Sequence, residues 1–136
     1  MTEREKVYQK YDGHCAYCGR SIAFKDMQVD HYYPKCLEGY ALTFRIDIES
    51  LENKMPSCRR CNHYKRGELP ENFRKNMETL HNRLRKIYIN KVAEDFGIIV
   101  IKPFDGQFYF EYVKEMEMKY LSYDTQRKDN RDTANG

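Results

Sequence analysis

Two Cys-x-x-Cys pairs, Cys15-Ala16-Tyr17-Cys18 and Cys58-Arg59-Arg60-Cys61, constrain this chain more than any other feature. Each pair can present two thiolates to one tetrahedral metal. Together they make a closed four-cysteine set of the structural zinc type, with no open position for substrate. Gly19 follows the first pair directly and lets the backbone turn tightly around a metal. The 39 residues 19–57 separate the pairs, well above the ~15–20 of a simple zinc ribbon. A zinc ion bridging them would therefore tie together the ends of a long inserted segment. The fifth cysteine, Cys36, stands alone inside that segment and reads as a small buried hydrophobe.

The insert and its far edge carry residues suited to phosphodiester chemistry. Asp30-His31 follows a short strand-like run that includes Ile22, Phe24, Met27 and Val29; Asn53 stands five residues before Cys58, and Asn62 directly follows Cys61. Asp30 supplies a hard carboxylate oxygen and Asn62 an amide oxygen, a pair that Mg²⁺ or Mn²⁺ accepts while keeping waters. Neighbouring side chains on an extended segment point to opposite sides, so His31 is free to face a phosphate while Asp30 faces the metal. Near its ordinary pKa, a neutral imidazole is a suitable general base.

Net charge says little, with 24 Lys plus Arg against 21 Asp plus Glu. Its distribution says more: Lys54, Arg59, Arg60, Lys65 and Arg66 form an acid-free basic cluster around the second cysteine pair, where a nucleic-acid backbone would lie.

At 136 residues the chain has room for one small domain, whose modest core a structural metal would support. Thr2 and Glu5 have capping-box spacing for a first helix that stops at Asp12-Gly13. Pro70 suits the start of a long helix. Its stripe of Phe73, Met77, Leu80, Leu84, Ile87 and Val92 reads as core, and its Arg74, Arg83, Arg85 and Lys86 as a solvated face. Ile98 to Phe104 and Gln107 to Val113 flank Asp105-Gly106 and predict a β-hairpin, whose aromatics Phe108, Tyr109, Phe110 and Tyr112 read as building a sheet face rather than stacking bases. The stretch 124–136 is polar throughout and predicts a disordered tail. The N-terminus lacks a charged-then-apolar signal pattern, and no run approaches the ~18 apolar residues of a membrane span, so a cytoplasmic location is expected.

The ordered set of Cys-x-x-Cys, Asp30-His31, Asn53, and Cys58-x-x-Cys61-Asn62 with Lys65 after it resembles the HNH endonucleases. It covers roughly residues 8–67, and residues 68–123 look like the extension of some small bacterial and phage members. The resemblance implies an α+β fold: a ββα-metal (His-Me finger) core with a four-cysteine zinc staple, then the long helix and the hairpin. It implies a metal-dependent DNA endonuclease leaving 5′-phosphate and 3′-hydroxyl ends. His31 would be the general base, Asp30 and Asn62 the ligands of a catalytic Mg²⁺ or Mn²⁺, and Asn53 a residue that orients His31 or its loop. Arg59, Arg60, Lys65 and Arg66 would hold backbone phosphates. His63, next to Asn62, is the alternative ligand if the helix register shifts by one. A second class of function uses the same residues: a zinc-knuckle module that grips nucleic acid without cutting it.

Overall fold

The computed structural model describes residues 1–134. Helix α1 (Glu3–Gln9) opens at Thr2, whose hydroxyl accepts the Glu5 N–H at 3.2 Å while the Glu5 carboxylate accepts the Thr2 N–H at 2.9 Å. This reciprocal pair satisfies two otherwise free donors of the first turn. The chain leaves the helix through Asp12 and Gly13, both at positive φ, and enters the first cysteine turn.

Strand β1 (Gln28–His31) pairs antiparallel with β2 (Lys54–Ser57), in register Asp30 to Met55 and His31 to Lys54. Between them lies the short helix α2 (Glu38–Thr43). Directly after β2 comes α3 (Arg59–Lys65), with Cys58 at its N-cap. The result is an antiparallel pair followed by a helix, with all four Cys-x-x-Cys cysteines at one end of α3.

Two strands alone are marginal in water and need a covering. The first cysteine turn supplies part of it, since the Ala16 N–H donates to the Pro56 carbonyl at 2.8 Å. The buried cluster joins Val7 of α1, Cys15 and Tyr17 of the turn, Ile22, Met27, Cys58, Phe73 and Phe108. Its centre is therefore the cysteine turns themselves. Cys36 is not part of it: that thiol is exposed and donates to the Gly67 carbonyl at 3.6 Å, a correction to its reading as buried. It lies in a single helical turn, Lys35–Leu37, on the surface.

The long helix expected after Pro70 is three short ones, α4 (Pro70–Glu78), α5 (Leu80–Arg85) and α6 (Tyr88–Asp95). Thr79 and Ile87 interrupt it, both β-branched and therefore poor helix residues; Ile87 adopts an extended conformation and the Thr79 hydroxyl turns back onto the Asn76 carbonyl. The breaks rotate the stripe off one face. Phe73 is buried and Met77 packs against the cluster, whereas Ile87 and Val92 are exposed.

The predicted C-terminal hairpin is absent as well. Residues 98–104 form no strand, and Asp105-Gly106 turns into helix α7 (Tyr109–Ala134). Helix wins here because the first turn of α7 finds partners a hairpin would not. The Glu111 carboxylate accepts the Phe108 N–H at 3.0 Å, and the next two N–H groups, of Tyr109 and Phe110, donate to the carbonyls of Tyr17 and Ala16. Those are the donors a helix N-terminus leaves free. Arg74 completes the corner by donating to both Glu111 oxygens at 2.7 and 2.8 Å and to the Gly106 carbonyl, with its guanidinium 4.8 Å from the Phe108 ring centre. Arg74 is thus largely buried rather than on a solvated face.

Helix α7 continues to Ala134, through most of the stretch for which the sequence predicts disorder; residues 135–136 lie outside those described. Once a first turn is nucleated, extending a helix costs little, and Glu115–Lys119 and Asp124–Lys128 pairs one turn apart assist it. No described helix is long and apolar enough to cross a membrane.

Candidate functional site

The Sγ atoms of Cys15, Cys18, Cys58 and Cys61 all lie within 4.8 Å of one another, with Cys18 and Cys58 at 3.9 Å. Four sulfurs at about 2.3 Å from one zinc would stand about 3.8 Å apart, so the donor set and its spacing fit a zinc ion. Backbone conformation builds the cluster. Gly19 sits at φ +77°, and a Cβ there would fall 2.8 Å from the Tyr109 ring, so the first turn admits only glycine beside α7. Hydrogen bonds from Cys18 and Cys61 push the Cys15 thiol far down, while the bond to Cys15 pushes Cys18 up to about 11 and Cys61 well above its ordinary value. A dication at the centre of such a cluster favours the thiolate form of its ligands.

Asp30 and His31 stand side by side on β1 and face different partners. The Asp30 carboxylate is buried, accepting the Tyr17 hydroxyl on Oδ2, with Lys65 Nζ at 3.4 Å from Oδ1 and 3.2 Å from Oδ2. Burial pushes this carboxyl above its usual range, against the pull of the Lys65 ammonium and the Tyr17 hydroxyl. A carboxylate has about four acceptor sites; each oxygen accepts one hydrogen bond, Oδ2 from Tyr17 and Oδ1 from Lys65. Asp30 thus keeps acceptor capacity on both oxygens beyond its bonds to Tyr17 and Lys65. The His31 side chain lies on the other side, its Nε2 3.4 Å from Glu49 Oε1, an ion-pair contact when the imidazole is protonated; among the described residues Nε2 is a buried polar atom without a hydrogen-bond partner.

Asn53, almost fully buried, clamps the loops flanking His31. Its Oδ1 accepts the Tyr33 N–H at 2.8 Å, and its Nδ2 donates to the carbonyls of Tyr33 and Ile48 at 3.1 and 2.8 Å. Asn62 is half-buried and lies one turn before Lys65, on the face of α3 that Lys65 turns toward Asp30. His63 is exposed and lines a different cleft, with Tyr64, Arg66 and Arg83.

No protein-family model, curated protein or solved structure matches this chain.

The fold divides the basic cluster. Arg59, Arg60 and Arg66 are exposed on and beside α3. Lys65, read from sequence as a phosphate contact, is instead buried; its ammonium serves Asp30 and donates to the His31 carbonyl at 2.9 Å. The correction has a simple cause: position 65 falls on the helix face packed against β1, where a buried carboxylate needs a counter-charge. Lys54 is buried too, ion-paired with Glu3 and with Glu49 at 3.3 Å. Two residues at the site escaped the sequence reading. Tyr17 gave no signal beyond its place between two cysteines, and Glu49 lies in a connection without any motif.

Proposed function

We propose that this protein is a DNA endonuclease of the HNH type, a zinc-stapled ββα-metal hydrolase of phosphodiester bonds. The observation that carries the reading is the pairing of a buried carboxylate, Asp30, with an adjacent imidazole whose Nε2 has no hydrogen-bond partner, on a strand held beside the cysteine cluster. A buried polar atom normally finds a partner, and an imidazole nitrogen that lacks one can accept a proton.

In this reading His31 takes the proton of the attacking water, and the bond from phosphorus to the 3′ oxygen breaks to leave a 5′-phosphate and a 3′-hydroxyl. Asp30 and Asn62 would hold one Mg²⁺ or Mn²⁺, which supplies Lewis acidity at the phosphate. Asn53 keeps the loops around His31 in place through its three hydrogen bonds. Arg59, Arg60 and Arg66 would lie along the phosphate backbone, which positions DNA without reading its sequence. Lys65 has no part in that contact.

The test is relaxation of supercoiled plasmid by wild type and by His31→Ala, with Mg²⁺, with Mn²⁺ and with EDTA. Wild type should cut in a metal-dependent way and the variant should lose ~10²–10⁴ in rate while keeping its melting temperature. Equal cutting by both removes His31 as the base. Zinc-loaded wild type that shifts DNA but never cuts it would make the chain a non-catalytic zinc-knuckle binder.

A further inference from the structure

Tyr17 links the cysteine cluster to Asp30. It stands between Cys15 and Cys18, 3% exposed, and its hydroxyl donates to Asp30 Oδ2. Its ring is packed edge-on by Phe73, Phe108 and Phe110, with centroids at 5.5, 5.4 and 6.1 Å. Its carbonyl accepts the Tyr109 N–H at 3.0 Å and its neighbour's accepts the Phe110 N–H at 2.8 Å. Backbone and ring are therefore fixed from both sides, by the cysteine turn and by the start of α7. A carboxylate has a soft terminal torsion and turns freely unless something holds it. Here the Tyr17 hydroxyl holds Oδ2 and the Lys65 ammonium holds Oδ1, one hydrogen bond to each oxygen, which fixes the plane of the carboxylate and leaves acceptor capacity on both oxygens.

We propose that Tyr17 is a positioning residue, which fixes the rotation of the Asp30 carboxylate so that its free acceptor capacity is offered to the catalytic cation. The zinc cluster and the C-terminal helix thereby set the affinity of a second metal site that neither touches. This rests on the reading of Asp30 as a metal ligand. Partners that orient a metal ligand typically contribute 10- to 100-fold in affinity.

Tyr17→Phe removes only the hydroxyl and leaves the ring in its aromatic box. Zinc content would be measured alongside Mn²⁺ binding to the DNA-free protein, by the electron paramagnetic resonance of free Mn²⁺, and plasmid cutting would be followed against Mn²⁺ concentration. Wild type, Tyr17→Phe and Asp30→Asn are compared. The expected result is one zinc per chain throughout, Mn²⁺ binding weakened ~10- to 100-fold in Tyr17→Phe and abolished in Asp30→Asn. Cutting by Tyr17→Phe should recover toward the wild-type rate as Mn²⁺ is raised, whereas a general loss of structure would lower the rate at every concentration. Full zinc with Mn²⁺ affinity within twofold of wild type would overturn the proposal while leaving the nuclease reading intact. Mn²⁺ affinity unchanged by Asp30→Asn would overturn both. Should Tyr17→Phe fail to hold zinc, Phe110→Leu, which loosens the box and keeps the hydroxyl, is expected to bind Mn²⁺ severalfold more weakly; wild-type affinity there refutes the linkage.

Discussion

Lys65→Met separates two accounts of the basic residues around the second cysteine pair. If Lys65 contacted phosphate, the variant would be stable and bind DNA more weakly, with a shallower salt dependence. The structure assigns it a different task, because its side chain is 0% exposed and that of Asp30 6% exposed, with 3.2 Å between the charges. At that distance, and an effective dielectric of about 20, the attraction is about 5 kcal/mol. Removing the ammonium does not forfeit all of it, since the stranded carboxylate can take up a proton. From its ordinary value of 3.8, doing so at pH 7 costs about 4 kcal/mol at about 1.4 kcal/mol per unit. The loss is therefore capped at about 4 kcal/mol, within the ~3–5 seen when one partner of a buried pair is removed.

The penalty should depend on pH. Burial already raises the Asp30 carboxyl in the folded protein, and losing Lys65 raises it further, so the charged form is the disfavoured one. Below the unfolded value both states are protonated and the penalty vanishes; it grows as pH rises from there until it meets the folded value. Urea unfolding at pH 7 and near pH 4 measures both ends, and Lys65→Met with Asp30→Asn should regain much of the loss at pH 7 because no buried charge remains. A Lys65→Met protein within ~0.5 kcal/mol of wild type at pH 7, but weakened on DNA, would refute the assignment; that margin is the usual range of surface changes.

Cys58→Ala should fail to retain zinc and lose its cooperative unfolding transition, since three thiolates hold the metal poorly and structural zinc contributes ~10 kcal/mol or more to small folds; metal analysis and circular dichroism read both, and a folded, zinc-loaded variant refutes the staple. Asn53→Ala strips three hydrogen bonds from the loops around His31 and should cost about 2–4 kcal/mol in urea unfolding; a neutral effect would mean the loops hold themselves. Burial pushes Glu111 up, but Arg74 and the Phe108 N–H hold its carboxyl below 4.5 in the folded state. Its contribution is then full above that value and lost as pH falls through the lower folded one. The stability gap between wild type and Glu111→Gln should accordingly shrink below pH 4.5, and a gap that is flat in pH would exclude the ion pair as its source.

The segment from Cys15 to Asn62 was the most legible in sequence, because each of its features is local. A Cys-x-x-Cys turn and the glycine that must follow it are specified within a few residues, as is the Thr2–Glu5 cap upstream, and the structure holds all of them. The adjacency of Asp30 and His31 on a strand likewise placed them on opposite sides. Beyond Pro70 the core positions Phe73 and Met77 were legible, whereas the single long helix and the hairpin were not, because competing local preferences there are nearly balanced. Asp105-Gly106 is compatible with a hairpin or with a turn into a helix. What decides is Arg74, 32 residues away from Gly106, together with the Ala16 and Tyr17 carbonyls nearly a hundred residues back.

By itself, then, the sequence determined the four-cysteine set, the first helix and the order of the candidate site residues, since these depend on spacing along the chain. Only the tertiary structure decided that Lys65 and Lys54 are buried counter-charges rather than surface cations, that Tyr17 holds Asp30, and that the C-terminal segment is a helix docked on the cysteine turn. Those outcomes depend on desolvation and on partners far away in sequence. A lysine in a string of letters looks the same whether its ammonium meets water or a buried carboxylate, and the energy that separates the two cases exists only once the chain has folded.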